Sequence, residues 1–145
     1  MDIPPEIIIK GAIRPGSVYY FPSERLTSTD SHYHVVINRN PFTEQVILLV
    51  CGSSRVDTVK RRNRGRSPKT LVEVTPEQYS LFSDVTIFDC NNSVFIYTIE
   101  DLIQRLSSHR LECCTTEMPL DLVKLLREGV LASPVIERNI KAQLI

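Results

Sequence analysis

The chain has 145 residues, 17 basic and 17 acidic side chains, 42% hydrophobic residues and 23% charged ones. That length and balance fit a single globular domain with a buried core and exclude a largely disordered chain. No apolar run approaches the ~18–20 residues that span a bilayer, and the first residues (MDIPPE) carry no basic segment, so neither a membrane span nor a signal peptide is expected and a cytoplasmic location is.

Residues 1–15 hold three prolines and a short apolar knot (IIIK), which predicts an arm that packs late or frays. Gly16 opens a first strand, SVYYF, and Pro22 ends it. A polar loop follows, holding Glu24, Arg25 and Asp30. Residues 32–38 (HYHVVIN) alternate and are rich in β-branched side chains, which is strand chemistry. Asn40-Pro41 marks a turn, and residues 44–52 (EQVILLVCG) form a third strand, apolar enough to be buried on both faces. The short connection predicts a hairpin with His34 opposite residue 49 and His32 opposite residue 51.

The charge is unevenly spread. From Arg55 to Lys69 the chain carries Arg55, Lys60, Arg61, Arg62, Arg64, Arg66 and Lys69 against Asp57 alone. That segment is +6, and the other 130 residues are −6. Its poverty in apolar residues predicts a loop that is mobile without a ligand. Arginine forks match phosphate, which makes the loop a candidate phosphate contact; a solvated surface loop is the alternative.

Beyond it, TLVEV (70–74) reads as a strand. Thr75 before Pro76 and Glu77 predicts an N-cap and a short helix over 76–82. VTIFDC (85–90) is a strand, Asn91-Asn92 a turn, and SVFIYTI starts extended. A helix follows at about 98–107, capped by Thr98, with Leu102, Ile103 and Leu106 on one face. Leu120, Val123, Leu126 and Val130 predict a helix at 119–128 that stops at Gly129. Ser133-Pro134 starts a last one. Strands followed by helices indicate an α+β fold, and five to seven short strands around a buried hairpin indicate a small, strongly curved barrel. One domain is expected, with an arm (1–15), a barrel (16–107) and a helical tail (108–145).

Cys51 and Cys90 end apolar strands, Cys113 and Cys114 are adjacent, and no CxxC pair exists. Free thiols in a reducing compartment follow, without a zinc site.

Four segments carry a family resemblance. GSVYYF (16–21) is similar to the opening strand of the MazF/PemK (Kid/CcdB-type) toxins of toxin–antitoxin systems. HYHVVIN resembles their second strand, VILLVCGSS (46–54) the strand that ends in a Thr-Ser or Ser-Ser pair, and LFSDVTIFDCN (81–91) the short helix and strand beyond. The resemblance implies an SH3-like barrel over about 16–107, a homodimer, cofactor-free and metal-independent cleavage of single-stranded RNA, and a cognate antitoxin. His32-Tyr33-His34 stands where the family has Arg-Pro, and Ser53 stands at its third-strand Thr. Arg25 is the candidate to replace the missing Arg.

Metal-free RNA cleavage needs a base for the 2′-hydroxyl, an acid for the 5′-oxygen and cations around phosphorus. His32 and His34, two apart on a strand, point to one face and can supply base and acid. Ser53 and Arg55 close the catalytic set, Arg55 holding phosphate as a fork. RNA contacts are expected from Arg25, Ser54, Lys60, Arg61, Arg62, Arg64 and Arg66. Each motif has a plainer reading. His-x-His with Asp30 is a thin metal cluster or surface histidine, Ser53-Ser54 is turn chemistry, and Asp89 with Asn91 is a buried turn network. Tyr19, Tyr20 and Phe21 read as core and edge, or as a platform for a base. A non-catalytic nucleic-acid- or protein-binding module, or a gyrase binder of the CcdB type, competes with the nuclease.

Overall fold

The computed structural model describes residues 3–23, 30–44 and 46–145. Among these, seven strands pair antiparallel and six α-helices flank them, an α+β arrangement. The strands are β1 (Val18–Pro22), β2 (Ser31–Val36), β3 (Val46–Ser53), β4 (Leu71–Val74), β5 (Thr86–Asp89), β6 (Val94–Thr98) and β7 (Glu112–Cys113). They run β4-β5-β3-β2-β1-β7, with β6 also on β3. The two ends, β4 and β7, do not pair with each other, so the described strands form an open sheet rather than a closed barrel.

β3 is the strand the sequence marks as apolar on both faces, and Ile47, Leu48, Leu49 and Val50 are fully buried. Alternation sends these side chains into two cores. Leu48 and Val50 join Val35, Ile37 and Phe88 beneath α5 (Leu120–Ala132), which contributes Val123, Leu126 and Val130. Ile47 and Leu49 join Phe21 and Val36 beneath α1 (Pro5–Ala12) and α4 (Ile99–Ser107), which contribute Ile9 and Leu102. Burying each such side chain is worth ~1.5–3 kcal/mol, which is what holds helices to both faces.

β3 also changes partners along its length. Val46 to Val50 pair with β6, whereas Gly52 and Ser53 pair with β5. Gly52 permits the crossing: a Cβ there would lie 2.6 Å from Thr86 Cγ2 and 2.9 Å from the Phe88 ring.

Several local expectations are corrected. The N-terminal arm is α1, anchored by fully buried Ile9. The first half of the basic loop is a helix, α3 (Val56–Arg62), held to the body by Val59 and by Asn63 just beyond it, and residues 63–67 remain turn and loop. No helix forms over 76–82: Thr75 and Gln78 exchange two hydrogen bonds, 2.9 and 3.3 Å, and the chain then turns to bury Tyr79 and Phe82. α5 runs through Gly129, where a Cβ would meet Cys90 Sγ and the Lys69 carbonyl at 2.8 Å; that glycine serves close packing, not termination. The last helix is only α6 (Arg138–Ala142). The cap predicted at Thr98 is present, and Asp101 completes it as a capping box.

The hairpin register differs by two residues: His34 faces Cys51 and Val36 faces Leu49. The connection contains a one-turn helix, α2 (Pro41–Glu44), rather than a tight turn. Fully buried Asn38 closes it, donating to the Val46 carbonyl (2.6 Å) and accepting from the Leu48 N–H (3.1 Å) as a strand backbone would. No helix among the described residues is long and apolar enough to cross a membrane.

Candidate active site

The end of the hairpin away from α2 is where β2 begins and β3 ends. Continuing the His34–Cys51 register by two residues sets His32 level with Ser53. A cleft of about 230 Å³ opens there, lined by His32, Ser53, Arg55, Thr58, Arg62 and Asp89 together with four other residues. A second hollow of about 400 Å³ shares His32, Ser53 and Arg55 and adds Tyr20, Asp30, Ser31 and Ser54. The structure therefore brings His32, Ser53, Ser54 and Arg55 together.

The local reasons are legible. Ser53 Oγ accepts the Arg55 N–H at 3.1 Å, so the Gly-Ser-Ser run is turn chemistry as well as cleft wall. That turn ends β3 and starts α3, with Arg55 at the helix entry. The Arg55 side chain is exposed and forms no ion pair with a described residue. His32 is half-buried against this wall, its Nε2 closed to solvent and without a partner among the described residues.

His34 is placed differently. It is fully buried, stacked on Phe21 with ring centroids 3.8 Å apart. Its Nδ1 lies 2.9 Å from the His32 carbonyl, which can only accept, so Nδ1 carries the proton. Desolvation lowers its pKa to about 3, against a smaller upward pull from that carbonyl, and the ring is neutral at physiological pH. His34 belongs to the core behind the cleft. The expected base–acid pair is thus reduced to one imidazole, because the inward face of β2 passes from cleft to core between the two residues.

The cleft floor is an anchored polar network. Asp89 is 2% exposed at its side chain and accepts from Arg62 Nη2 (2.9 Å), Asn63 Nδ2 (2.9 Å), Asn92 Nδ2 (3.0 Å) and the N–H groups of Asn91 and Asn92. Burial alone would raise its pKa, but those donors outweigh it and hold the carboxyl below its usual value. Asn91 extends the network, donating to Asn63 Oδ1 (3.0 Å) and Thr70 Oγ1 (2.8 Å) and accepting from Ser133 Oγ at 2.6 Å. Five stretches of chain thus meet here: α3, the residue 67–70 turn, β5, the 90–93 turn and the end of α5.

The basic segment divides accordingly. Arg62 serves the Asp89 network, and Lys60 pairs with Glu73 at 2.5 Å, away from the cleft. Arg61 and Arg64 are exposed, Arg66 is half-exposed, and none pairs with a described carboxylate. They do not line the cleft. Arg25 lies outside the described residues, as does Glu24.

Cys51 also borders the cleft, but burial raises its thiol to about 12, so it is not a nucleophile. The four cysteines form no disulfide. No three His, Cys, Asp or Glu side chains converge among the described residues, so His-x-His finds no third metal ligand there. Sequence reasoning missed Thr58 and the Asn63–Asp89 link. The Asp-Cys-Asn-Asn run was the available signal for the latter, since Asp and Asn side chains cap turns. Comparison with known protein families and with curated proteins finds no match to this chain.

Proposed function

We propose that the protein is a metal-independent endoribonuclease acting on single-stranded RNA, the toxin of a toxin–antitoxin pair. The convergence of His32, Ser53 and Arg55 in one cleft carries this reading. His32 removes the 2′-hydroxyl proton as that oxygen attacks phosphorus. The P–O5′ bond breaks, and the imidazolium returns the proton to the departing 5′-oxygen, leaving a 2′,3′-cyclic phosphate and a 5′-hydroxyl. One imidazole suffices because it acts in turn as base and acid. Arg55 neutralises the charge that builds on the phosphoryl oxygens, and the Ser53 hydroxyl donates to one of them. The MazF/PemK-like motifs and the change of partner along β3 at Gly52 support an incompletely closed SH3-like barrel, with a homodimer and a cognate antitoxin as its expected partners.

The test is to incubate the full chain with end-labelled single-stranded RNA in EDTA and to examine the new termini. Cyclic-phosphate products that vanish in His32→Ala and Arg55→Ala support the proposal. RNA that stays whole but shifts on a native gel favours the second reading, a binding module. The single cleft-facing imidazole is the observation on that side.

A further inference from the structure

The α4–β7 connection builds a second cationic hollow. It measures about 520 Å³ and is lined by Arg105, His109 and Arg110, by Tyr20, Ser31 and Glu112, and by three other residues. Tyr20 and Ser31 also line the hollow that holds His32, Ser53 and Arg55, so the two hollows adjoin at the β1–β2 end of the sheet. On its far side Arg105 and Arg110 border a further depression with Asp101, Gln104 and Ser108.

The Arg105 head is held in place. The Arg105 guanidinium sits 5.2 Å from the Phe21 ring centroid and 5.1 Å from that of Tyr97, which fixes its head. α4 ends in a Schellman motif: the His109 N–H bonds the Leu106 carbonyl (3.1 Å) and the Arg110 N–H the Arg105 carbonyl (2.8 Å). His109 occupies the left-handed position of that motif, φ 58°, where glycine is favoured. It is the only non-glycine with positive φ among the described residues. Glycine would relieve that strain, so ending the helix does not require the imidazole. Two carboxylates stand nearby: Asp101, whose Oδ2 accepts the Thr98 N–H, and Glu112 on β7. Arg105 and Arg110 line hollows with both of them.

We propose that Arg105, His109 and Arg110 form a second phosphate subsite, which seats a flanking phosphate of the RNA strand whose reacting phosphate lies at Arg55. This rests on the RNA reading of the His32 cleft. It predicts that affinity depends on strand length, because a dinucleotide reaches one subsite and a longer strand reaches both.

Fluorescence anisotropy with a labelled octanucleotide and a dinucleotide tests it, using the full-length protein. Arg110→Ala and His109→Gly are expected to weaken octanucleotide binding ~10-fold, and Arg110→Ala to lower the salt slope by roughly 0.7. Dinucleotide binding stays as in the wild type. His109→Gly should do so with an unchanged or higher Tm, which a purely structural histidine would not combine with lost affinity. Unchanged octanucleotide affinity in both variants overturns the second subsite while leaving the nuclease reading standing. Wild-type protein that binds neither RNA overturns both together, and the dinucleotide separates the two failures.

Discussion

His32 and His34 lie two residues apart on one strand and point to one face, yet they occupy two different regions. At the His34 end the sheet is covered by α1 and α4, and the imidazole is stacked on Phe21 and kept neutral. At the His32 end the same face runs out from under the helices into a cleft bounded by Arg55 and the Asp89 network. Identical chemistry therefore takes opposite roles, because the dielectric around a titratable ring decides what it can do. The first is a packing group with a latent charge penalty, the second a half-buried group that lines a cleft.

The largest expected effect breaks the cleft end alone. His32→Ala should lower RNA cleavage by ~10²–10⁴-fold, the range a positioned acid–base group supplies. Its circular dichroism and Tm should match the wild type, since His32 is only half-buried. A variant that cleaves normally would remove His32 from the mechanism.

The core end breaks by acid. His34 has a folded pKa near 3, below the ordinary 6.5, so between those values the unfolded chain binds a proton that the folded chain refuses. Stability then rises with pH across that window and is lost as pH falls from 6.5 towards 3, by at most about 5 kcal/mol. His32, Arg105, Tyr19 and Cys51 surround the ring, but none offers it a negative charge near neutral pH. Urea titrations from pH 7 to 4 should show this slope in the wild type and a shallower one in His34→Phe. Equal slopes would mean that the ring reaches water.

Much of this contrast was legible in the sequence. Short apolar and β-branched runs between turn residues marked β1 to β6, and the unbroken apolar run of β3 announced a strand buried on both faces. The His-x-His spacing placed both rings on one side. What single residues did not carry was where that side changes from core to cleft, because the change depends on helices α1 and α4 reaching Phe21 but not Ser53. The helix in the basic segment was hidden for a similar reason. KRRNRGR has a loop's composition, and α3 is secured by Asn63 bonding Asp89, 26 residues further on. The register slipped because buried Asn38 imitates backbone, which no propensity scale records. β7 is two residues long, too short for any periodicity to mark.

That distant anchor is the next place to break the comparison. Asp89→Ala removes the acceptor for Arg62, Asn63 and Asn92, leaving buried amide donors unmatched. A loss of about 3–5 kcal/mol is expected, as when one member of a buried polar pair is deleted. The damage should centre on α3 and Arg55, so hydrogen exchange should rise there before it rises around His34. Uniform exchange across both ends would show that the cleft wall has no independent anchor.

The smallest effect sharpens how the two ends are joined. Gly52 is where β3 leaves β6 for β5, and it lies between Cys51, opposite His34, and Ser53, level with His32. In Gly52→Ala the new methyl meets Thr86 Cγ2 at 2.6 Å and the Phe88 ring at 2.9 Å. Phe88 is fully buried and cannot swing aside, so the strand end must lift, at a cost of about 1–3 kcal/mol. Lifting it carries Ser53 and Arg55 away from His32, while the Phe21–His34 stack is untouched. Cleavage should therefore fall with the acid slope of stability preserved. Thr86→Ala, added to Gly52→Ala, removes the closer contact and should restore part of both stability and cleavage. If the second change restores neither, the crossing of β3 over β5 is not what holds Arg55 beside His32.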